Sequence, residues 1–596
     1  MNQFKLFFKS IGYSVKLIYR SSGLLLLIYF LLSISGATLG LFCTYALKYI
    51  LDNLSEANQK MSLVLLWVAL YALSLVITQV NTSVQNILYD SISKKAGHLY
   101  ECDLSEKLTC LPLAVIDSSV GKDMIDDVRY GKNAAVYTAI RMIRIVSLLY
   151  TFIVAFTALM KFNVIFTLIF LPLTIPGIVL DKVFDKKAED LRREKAPDVR
   201  KFCYYRWMLT DAWPAKDVRM YDLTDAVKSR YNEEKVKYLA ANKKLDRKKV
   251  RSLLFAEVLR RSGEIAFIVF AVYQAATGRI SIGDVALYTG FSLTISNAFS
   301  RISLVLVMGY TNATEVMGRV FDFFAIKTEQ NSGIRKLESF ETLTFDQVFF
   351  KYPYTEKYVL SGASFTLNKG DKLSIVGING SGKSTIIKLM VGLYEIESGQ
   401  ILINGYPMSD YDIKDVRKLF SVLFQSFVQY PLTLRENIAL SDIERMDNSE
   451  EIESVLKQSG VYEDLKPKLE NGLDSCMTRN FDDKGTELSK GQWQKIALSR
   501  AYFKNASIVI FDEPSAALDA EAEDRIFKNF ESISDGKTGI MISHRISSAR
   551  ISNKIIVLDG GKITEQGTHD ELVSLGGLYA KLYNLQREKY AVKEVG

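Results

Sequence analysis

The sequence predicts a two-part fold: an all-α transmembrane domain of six helices with long cytoplasmic helical extensions, followed by an α/β domain. Three observations predict it. Long uncharged apolar runs are confined to the first half of the chain. Charged, helix-favouring stretches separate these runs in pairs. Beyond about residue 335, short β-branched runs alternate with helical segments, the pattern of a largely parallel sheet. At 596 residues the chain exceeds what one hydrophobic core holds. The boundaries read as 1–325 for the membrane domain, 326–339 for a linker and 340–596 for the α/β domain.

Residues 21–47 carry no charge, enough to cross a hydrocarbon core of about 30 Å as a helix. Lys5, Lys9, Lys16 and Arg20 precede them without an acidic residue, which places the N-terminus in the cytoplasm. A second uncharged run covers 61–88, after a charge-balanced outer loop with Lys48, Asp52, Glu56 and Lys60. Runs 145–160 and 162–180 meet at Lys161 as a tight hairpin, and the last pair is 265–278 and 285–300. Between these pairs, 90–144 and 181–251 are rich in Lys, Arg, Glu, Ala and Leu and favour helix. They extend the membrane helices into the cytoplasm and turn near 111–121 and near Trp213-Pro214.

The net charge of +8 sits beside apolar runs, which fits a membrane protein with basic cytoplasmic loops and argues against nucleic-acid binding. Cys43, Cys102, Cys110, Cys203 and Cys476 are scattered, without disulfide spacing, as in a reducing compartment. His98, His544 and His569 lie at no zinc-ligand spacing. The first apolar run is too long for the core of a cleavable signal peptide.

The chemistry resides in the second half. The buried-strand pattern 373–376 runs into Gly377-Ile378-Asn379-Gly380-Ser381-Gly382-Lys383-Ser384-Thr385 and then a helix. This is a G-x-x-x-x-G-K-[ST] loop in strand–loop–helix context, a P-loop nucleotide-binding signature. Backbone N–H groups of such a loop close around phosphate oxygens at a helix N-terminus. Lys383 is expected to reach the β- and γ-phosphates of ATP, and the Ser384 hydroxyl to ligate Mg²⁺. Downstream, the strand 508–511 ends in Asp512-Glu513. Asp512 is placed to hold Mg²⁺, directly or through water, and Glu513 to act as general base on the attacking water.

Leu488-Ser489-Lys490-Gly491-Gln492 stands shortly before that pair and resembles the signature motif of ATP-binding cassette (ABC) proteins. The resemblance extends from Phe340 to about Leu585, with the motifs in matching order. It implies that Tyr352 stacks on adenine and that Gln425 links Mg²⁺ to the membrane domain. It further implies that Ala517-Leu518-Asp519 crosses to a partner cassette and that His544 is the switch histidine at the γ-phosphate. Six spans fused ahead of the cassette resemble the exporter branch of the family. There, two half-transporters form a dimer, and cytoplasmic hairpins transmit the ATP cycle to an alternating-access cavity in the cytoplasmic membrane. The cargo such a branch implies is a peptide, a lipid or a drug-like molecule. Gly491–Lys495 and Lys216-Asp217-Val218-Arg219 resemble bacterial exporters of modified antimicrobial peptides, without the leader-cleaving peptidase domain some exporters carry.

Family signatures usually read Leu-Ser-Gly-Gly-Gln, and Lys490 replaces the first glycine. Ser489, Gly491 and Gln492 remain. A homodimer with two equal sites is the preferred reading. The alternatives are a heterodimer in which this signature completes a weakened partner site, and a regulatory or channel-like subunit. Arg141, Arg144, Glu257, Arg260, Arg261, Glu264 and Arg301 fall at the inner ends of spans and are candidates for an inward-facing cavity. Glu257–Arg261 and Arg260–Glu264, four residues apart, are also placed to pair along one helix.

Overall fold

The computed structural model describes residues 3–55, 61–311, 316–329, 333–353, 355–514, 520–543 and 546–591. It comprises two compact units, one of Met1–Thr109 with Asp123–Ile326, the other of Cys110–Lys122 with Lys327–Gly596.

The N-terminal part is helical: α1 (Gln3–Ser55), α2 (Met61–Thr109), the short α3 (Leu113–Asp117) and α4 (Ser119–Phe162). There follow α5 (Val164–Phe170), α6 (Ile175–Glu194), α7 (Ala196–Thr210), α8 (Ala215–Met220), α9 (Thr224–Ala276), α10 (Ile282–Thr311) and α11 (Met317–Ala325). At 1.5 Å per residue, α9 runs about 80 Å, far more than a bilayer needs, and α1 is kinked at Ser22. In α2, α4 and α9 a charged stretch and an apolar one share a single helix, whereas 181–223 is divided among α6, α7 and α8. The turns fall where expected. Ser118 Oγ accepts from the Gly121 N–H (2.8 Å) to open α4, and Asp211 Oδ1 accepts from the Trp213 N–H (2.9 Å) ahead of α8.

Among the described residues, three helices are long and apolar enough to cross a membrane: α1, α2 and α4. The expected continuous span over 162–180 is corrected. That segment is α5, a 3₁₀ turn at Leu171–Thr174, and α6. Pro172 and Pro176 remove two N–H donors one turn apart, so the α-helical ladder cannot run through. α9 and α10 meet at a turn that includes Gly278 at φ 71°.

Within α9, the charged residues at 257–264 largely satisfy one another. Arg260 donates to Glu264 (2.9 Å), Arg261 donates to Glu257 (2.9 Å) and to Glu264 (2.7 Å), and Arg260 also bonds Ser296. Glu264 is only 3% exposed, so this pairing offsets a large desolvation cost. One guanidinium nitrogen of Arg141 is buried without a partner, while Arg144 and Arg301 are exposed. Between α1 and the start of α10, Lys48 pairs with Asp284 (2.6 Å) and Asp52 accepts from the Gly283 N–H (2.9 Å). A Cβ at position 283 would stand 2.4 Å from that carboxylate, so glycine permits the approach.

Among its described residues the second unit carries ten strands: β1 (Thr342–Phe350), β2 (Leu360–Asn368), β3 (Lys372–Gly377), β4 (Ser398–Ile403), β5 (Tyr406–Pro407), β6 (Phe420–Leu423), β7 (Ile508–Asp512), β8 (Thr538–Ile542), β9 (Lys554–Asp559) and β10 (Lys562–Gly567). The larger sheet has the order β10-β9-β3-β8-β7-β6, parallel except at β10. Every residue of β7 and β8 is buried, as in a sheet covered on both faces. A second sheet, β2-β1-β4-β5, is antiparallel and was not part of the sequence expectation.

Candidate nucleotide-binding site

The parallel order places the carboxyl ends of β3 and β7 on one edge of the sheet, where α/β folds bind ligands. β3 ends at Gly377, and a Cβ there would meet the Leu558 carbonyl at 2.2 Å, so only glycine fits. The loop then turns through Gly380 (φ 79°) and Gly382 (φ 106°) into the helix Lys383–Met390. Positive φ at Gly382 is the left-handed region that side chains avoid. This aims the first N–H groups of the helix into a cavity of about 470 Å³.

Tyr352, Asn379, Gly380, Gly382, Lys383, Ser384, Thr385, Gln425 and Glu513 line that cavity. Ser384 Oγ donates to Asp512 Oδ1 (3.1 Å), drawing Asp512 to the same place from the end of β7. Gln425 Nε2 donates to Glu513 Oε2 (2.6 Å). The Glu513 backbone N–H is held by the Ile542 carbonyl (3.0 Å), and its φ of 48° is uncommon for a residue with a side chain. Lys383 Nζ donates to the carbonyls of Gly377 (2.9 Å) and Ile378 (3.1 Å), leaving one ammonium proton. Burial pushes the Lys383 ammonium below its usual range, against the pull of Glu513 and Asp512. Burial pushes the Asp512 carboxyl up to about 6, opposed by the Ser384 hydrogen bond.

Two features fit a phosphate and a hard cation. Ser381 Oγ is buried without a hydrogen-bond partner, in the loop whose Asn379, Gly380 and Gly382 line the cavity. Among the described residues there is no cluster of three or more His, Cys, Asp or Glu. A cation here would rest on one carboxylate and one hydroxyl, with water and phosphate oxygens completing its shell, which is the habit of Mg²⁺.

Tyr352 is tied in by its hydroxyl, 3.1 Å from Thr385 Oγ1, and packs edge-to-face on Tyr394 (5.4 Å). Ser489, Gly491 and Gln492 stand apart from this cavity. Ser489 is the N-cap of the helix Lys490–Lys504 and forms a capping box with Gln492 (3.0 and 3.3 Å). Lys490 occupies the first helical position with its side chain exposed. Asp519 and His544 lie outside the described residues, as do Ala517 and Leu518.

Two relationships escaped the sequence reading. The Gln425–Glu513 bond joins residues 88 apart and follows from β6 lying beside β7. The Tyr394 hydroxyl donates to the Asp117 carboxylate of the α3 segment. Leu113 and Ala114 of α3 pack against the core formed by Leu373, Ile375 and Ile386.

The ABC transporter family profile matches residues 360–516, which includes the P-loop, Gln425, the signature and Asp512-Glu513. The chain is 35% identical over 406 residues to the subtilin transport ATP-binding protein SpaT of Bacillus subtilis, covering 68% of this chain and 66% of that one. It is 32% identical over 395 residues to the nisin transport ATP-binding protein NisT of Lactococcus lactis subsp. lactis, covering 65% of each. The ATP-dependent lipid A-core flippase of Haemophilus ducreyi (strain 35000HP / ATCC 700724) is 35% identical over 268 residues, 45% of each chain. The chain thus spans just under two thirds of the length of the first two relatives. Its fold matches the structure of a bacterial Atm1-family ABC exporter with ATP bound (TM-score 0.79, 21% identity, 94% of this chain and 98% of that one). Fold and site together define an ATP-binding cassette behind a helical membrane domain. The chain belongs to the ABC transporter family, with the architecture of an exporter half-transporter.

Proposed function

We propose that this chain is one half of an ATP-driven exporter that moves its cargo across the cytoplasmic membrane by alternating access. The observation that carries the reading is the convergence of Lys383, Ser384, Asp512 and Glu513 on one cavity at the P-loop. Asn379 to Thr385 hold the phosphates through backbone N–H groups, with Lys383 supplying the cation. Gly377 lets the loop turn close against β9. Ser384, Gln425 and Asp512 hold Mg²⁺, which when bound neutralises charge developing on the phosphates. Glu513 takes the proton from the attacking water, its carboxylate oriented by the Gln425 amide. Tyr352 supports the adenine. His544 and Asp519 are assigned the switch and cross-dimer roles on their motifs.

Ser489 accepts from the Gln492 N–H and so keeps its O–H proton free to donate outward. That donor, with Gly491 and Gln492, serves the ATP held by a second half-transporter. A homodimer with two equal sites is the favoured reading; the convergence of Lys383, Asp512 and Glu513 suits it and equally suits a heterodimer whose weakened site lies on the partner. All six membrane segments, including α5–α6, α9 and α10, span the bilayer, with the N-terminus and the cassette in the cytoplasm. The coverage of the exporter fold supports that count.

A peptide is the favoured cargo, because SpaT and NisT carry the transport of subtilin and nisin in their names. A lipid is the second reading, supported by the flippase likeness. The test is ATPase activity of the purified chain in lipid against cationic peptides and lipid A. Stimulation by peptide supports the first reading and stimulation by lipid A alone the second. No stimulation by either, with robust basal activity, would reject both cargoes.

A further inference from the structure

Two neighbouring residues of the signature segment are not explained by the packing of this chain. Gly491 lies in the first turn of the helix Lys490–Lys504 with an ordinary φ, and a Cβ there would meet only Ser489 Oγ, at 4.0 Å. Neither the backbone nor a neighbour within the chain requires glycine, and glycine in a helix is destabilising relative to alanine. A glycine facing open space suits the close approach of something from outside the chain. Lys490 stands one residue earlier with its side chain exposed, and it does not line the chain's own nucleotide cavity. The other two lysines of this helix are engaged. Lys495 donates to Asp464 (2.7 Å) and to the Gly460 carbonyl (2.8 Å), and Lys504 donates to the Arg417 carbonyl (3.2 Å). Lys490 has no hydrogen bond or ion pair among the described residues. The acidic residue nearest to it in sequence, Glu487, accepts from the Arg479 N–H instead (3.2 Å). The first helical turn holds no acidic residue, so the helix dipole opposes the Lys490 charge. Lysine at this position therefore does not serve the fold, and an arriving anion would be attracted to it.

We propose that the Lys490 ammonium binds a phosphate oxygen of the ATP held by a second copy of this chain, beside the Ser489 hydroxyl. This rests on the reading of the chain as a half-transporter whose signature serves the partner's ATP. The glycine usual at this place in the signature has no side chain to offer. Lys490 adds a charge-assisted hydrogen bond there, so ATP joins the two chains more tightly than a glycine signature allows.

The test uses the full chain carrying Glu513→Gln in nanodiscs that hold two copies. It reads the ATP concentration for half-maximal nucleotide retention and the Tm without nucleotide. Adding Lys490→Met, which keeps length and removes charge, raises that concentration about tenfold, the scale of a hydrogen bond to a charged group. Lys490→Arg keeps it within about twofold. Lys490→Glu weakens retention further while the nucleotide-free Tm rises by about 1–3 °C, because a carboxylate suits the helix dipole. Lys484→Met, an equal charge loss in the preceding loop, changes neither reading. Mixed pairs place the effect across the dimer. When one chain's cradle is disabled by Lys383→Ala, retention by the intact cradle follows residue 490 of the disabled chain. Wild-type retention in Lys490→Met, or retention that follows residue 490 of the chain with the intact cradle, would overturn the inference while leaving the half-transporter reading intact. Failure of Glu513→Gln alone to retain ATP would overturn that reading and this inference with it.

Discussion

The Gln425 side-chain amide donates to the Glu513 carboxylate at 2.6 Å, so the residue proposed to ligate Mg²⁺ also orients the proposed base. Glu513 follows β7 with left-handed backbone geometry, and its carboxylate direction depends on what it touches. Gln425→Ala is expected to lower kcat roughly ten- to hundredfold, the cost of a misplaced catalytic group. ATP affinity measured at equilibrium should change far less. An equal loss in both would show that Gln425 acts mainly in binding.

The Asp117–Tyr394 bond ties the α3 segment to the cassette, and Tyr394 in turn packs on Tyr352. Burial and the Asp117 carboxylate both push the Tyr394 phenol above its usual range, so it stays a neutral donor. Tyr394→Phe and Asp117→Asn should each weaken coupling between ATP turnover and transport while basal ATPase persists. In a double-mutant cycle on cassette unfolding, the pair should show about 1–3 kcal/mol of interaction, as expected of a hydrogen bond to a charged group. Strict additivity would remove the bond from the account.

Glu264 and Glu257 share the same two arginines but differ in burial, at 4% and 47% side-chain exposure. Glu264→Gln removes the buried carboxylate and leaves the part-buried Arg260 to Glu257 alone, which should cost roughly 2–3 kcal/mol, read as a lowered Tm in detergent. Glu257→Gln, in a wetter setting, should cost under about 1 kcal/mol. Equal effects would contradict the burial argument.

Ser489 caps a helix and is also assigned to the partner's ATP, and two substitutions separate these roles. Ser489→Ala removes the cap, lowering cassette stability by about 1 kcal/mol. Ser489→Asp keeps a cap acceptor and adds a carboxylate that suits the helix dipole, so stability holds. ATPase activity should fall in both, because neither retains a hydroxyl donor. Wild-type turnover in Ser489→Asp would exclude the signature role.

Much of the site was legible because its residues sit at local, motif-bound positions: the loop Gly377–Thr385 after a β-branched strand, and Asp512-Glu513 at the end of another. The hairpin turns were legible from Pro112, Gly121 and Pro214 in otherwise helical stretches. The antiparallel sheet was not, because β1 shifts register between Phe345 and Val348 and Gln347 takes φ 46°, which breaks the period-two alternation. The break in α5–α6 carried a visible signal, Pro172 and Pro176, that the apolar run masked. Asp117–Tyr394 joins positions 277 apart, a pairing that local pattern does not encode.

The most direct test compares wild type and Glu513→Gln, each purified alone in liposomes, for ATP hydrolysis and retained ATP. The account predicts steady hydrolysis by the lone wild-type chain. It predicts retained ATP with turnover reduced at least 100-fold in Glu513→Gln, the scale of a lost general base. Wild-type turnover by Glu513→Gln would contradict the assignment. Hydrolysis by the wild type only after a second, different half-transporter is added would replace the homodimer with a heterodimer.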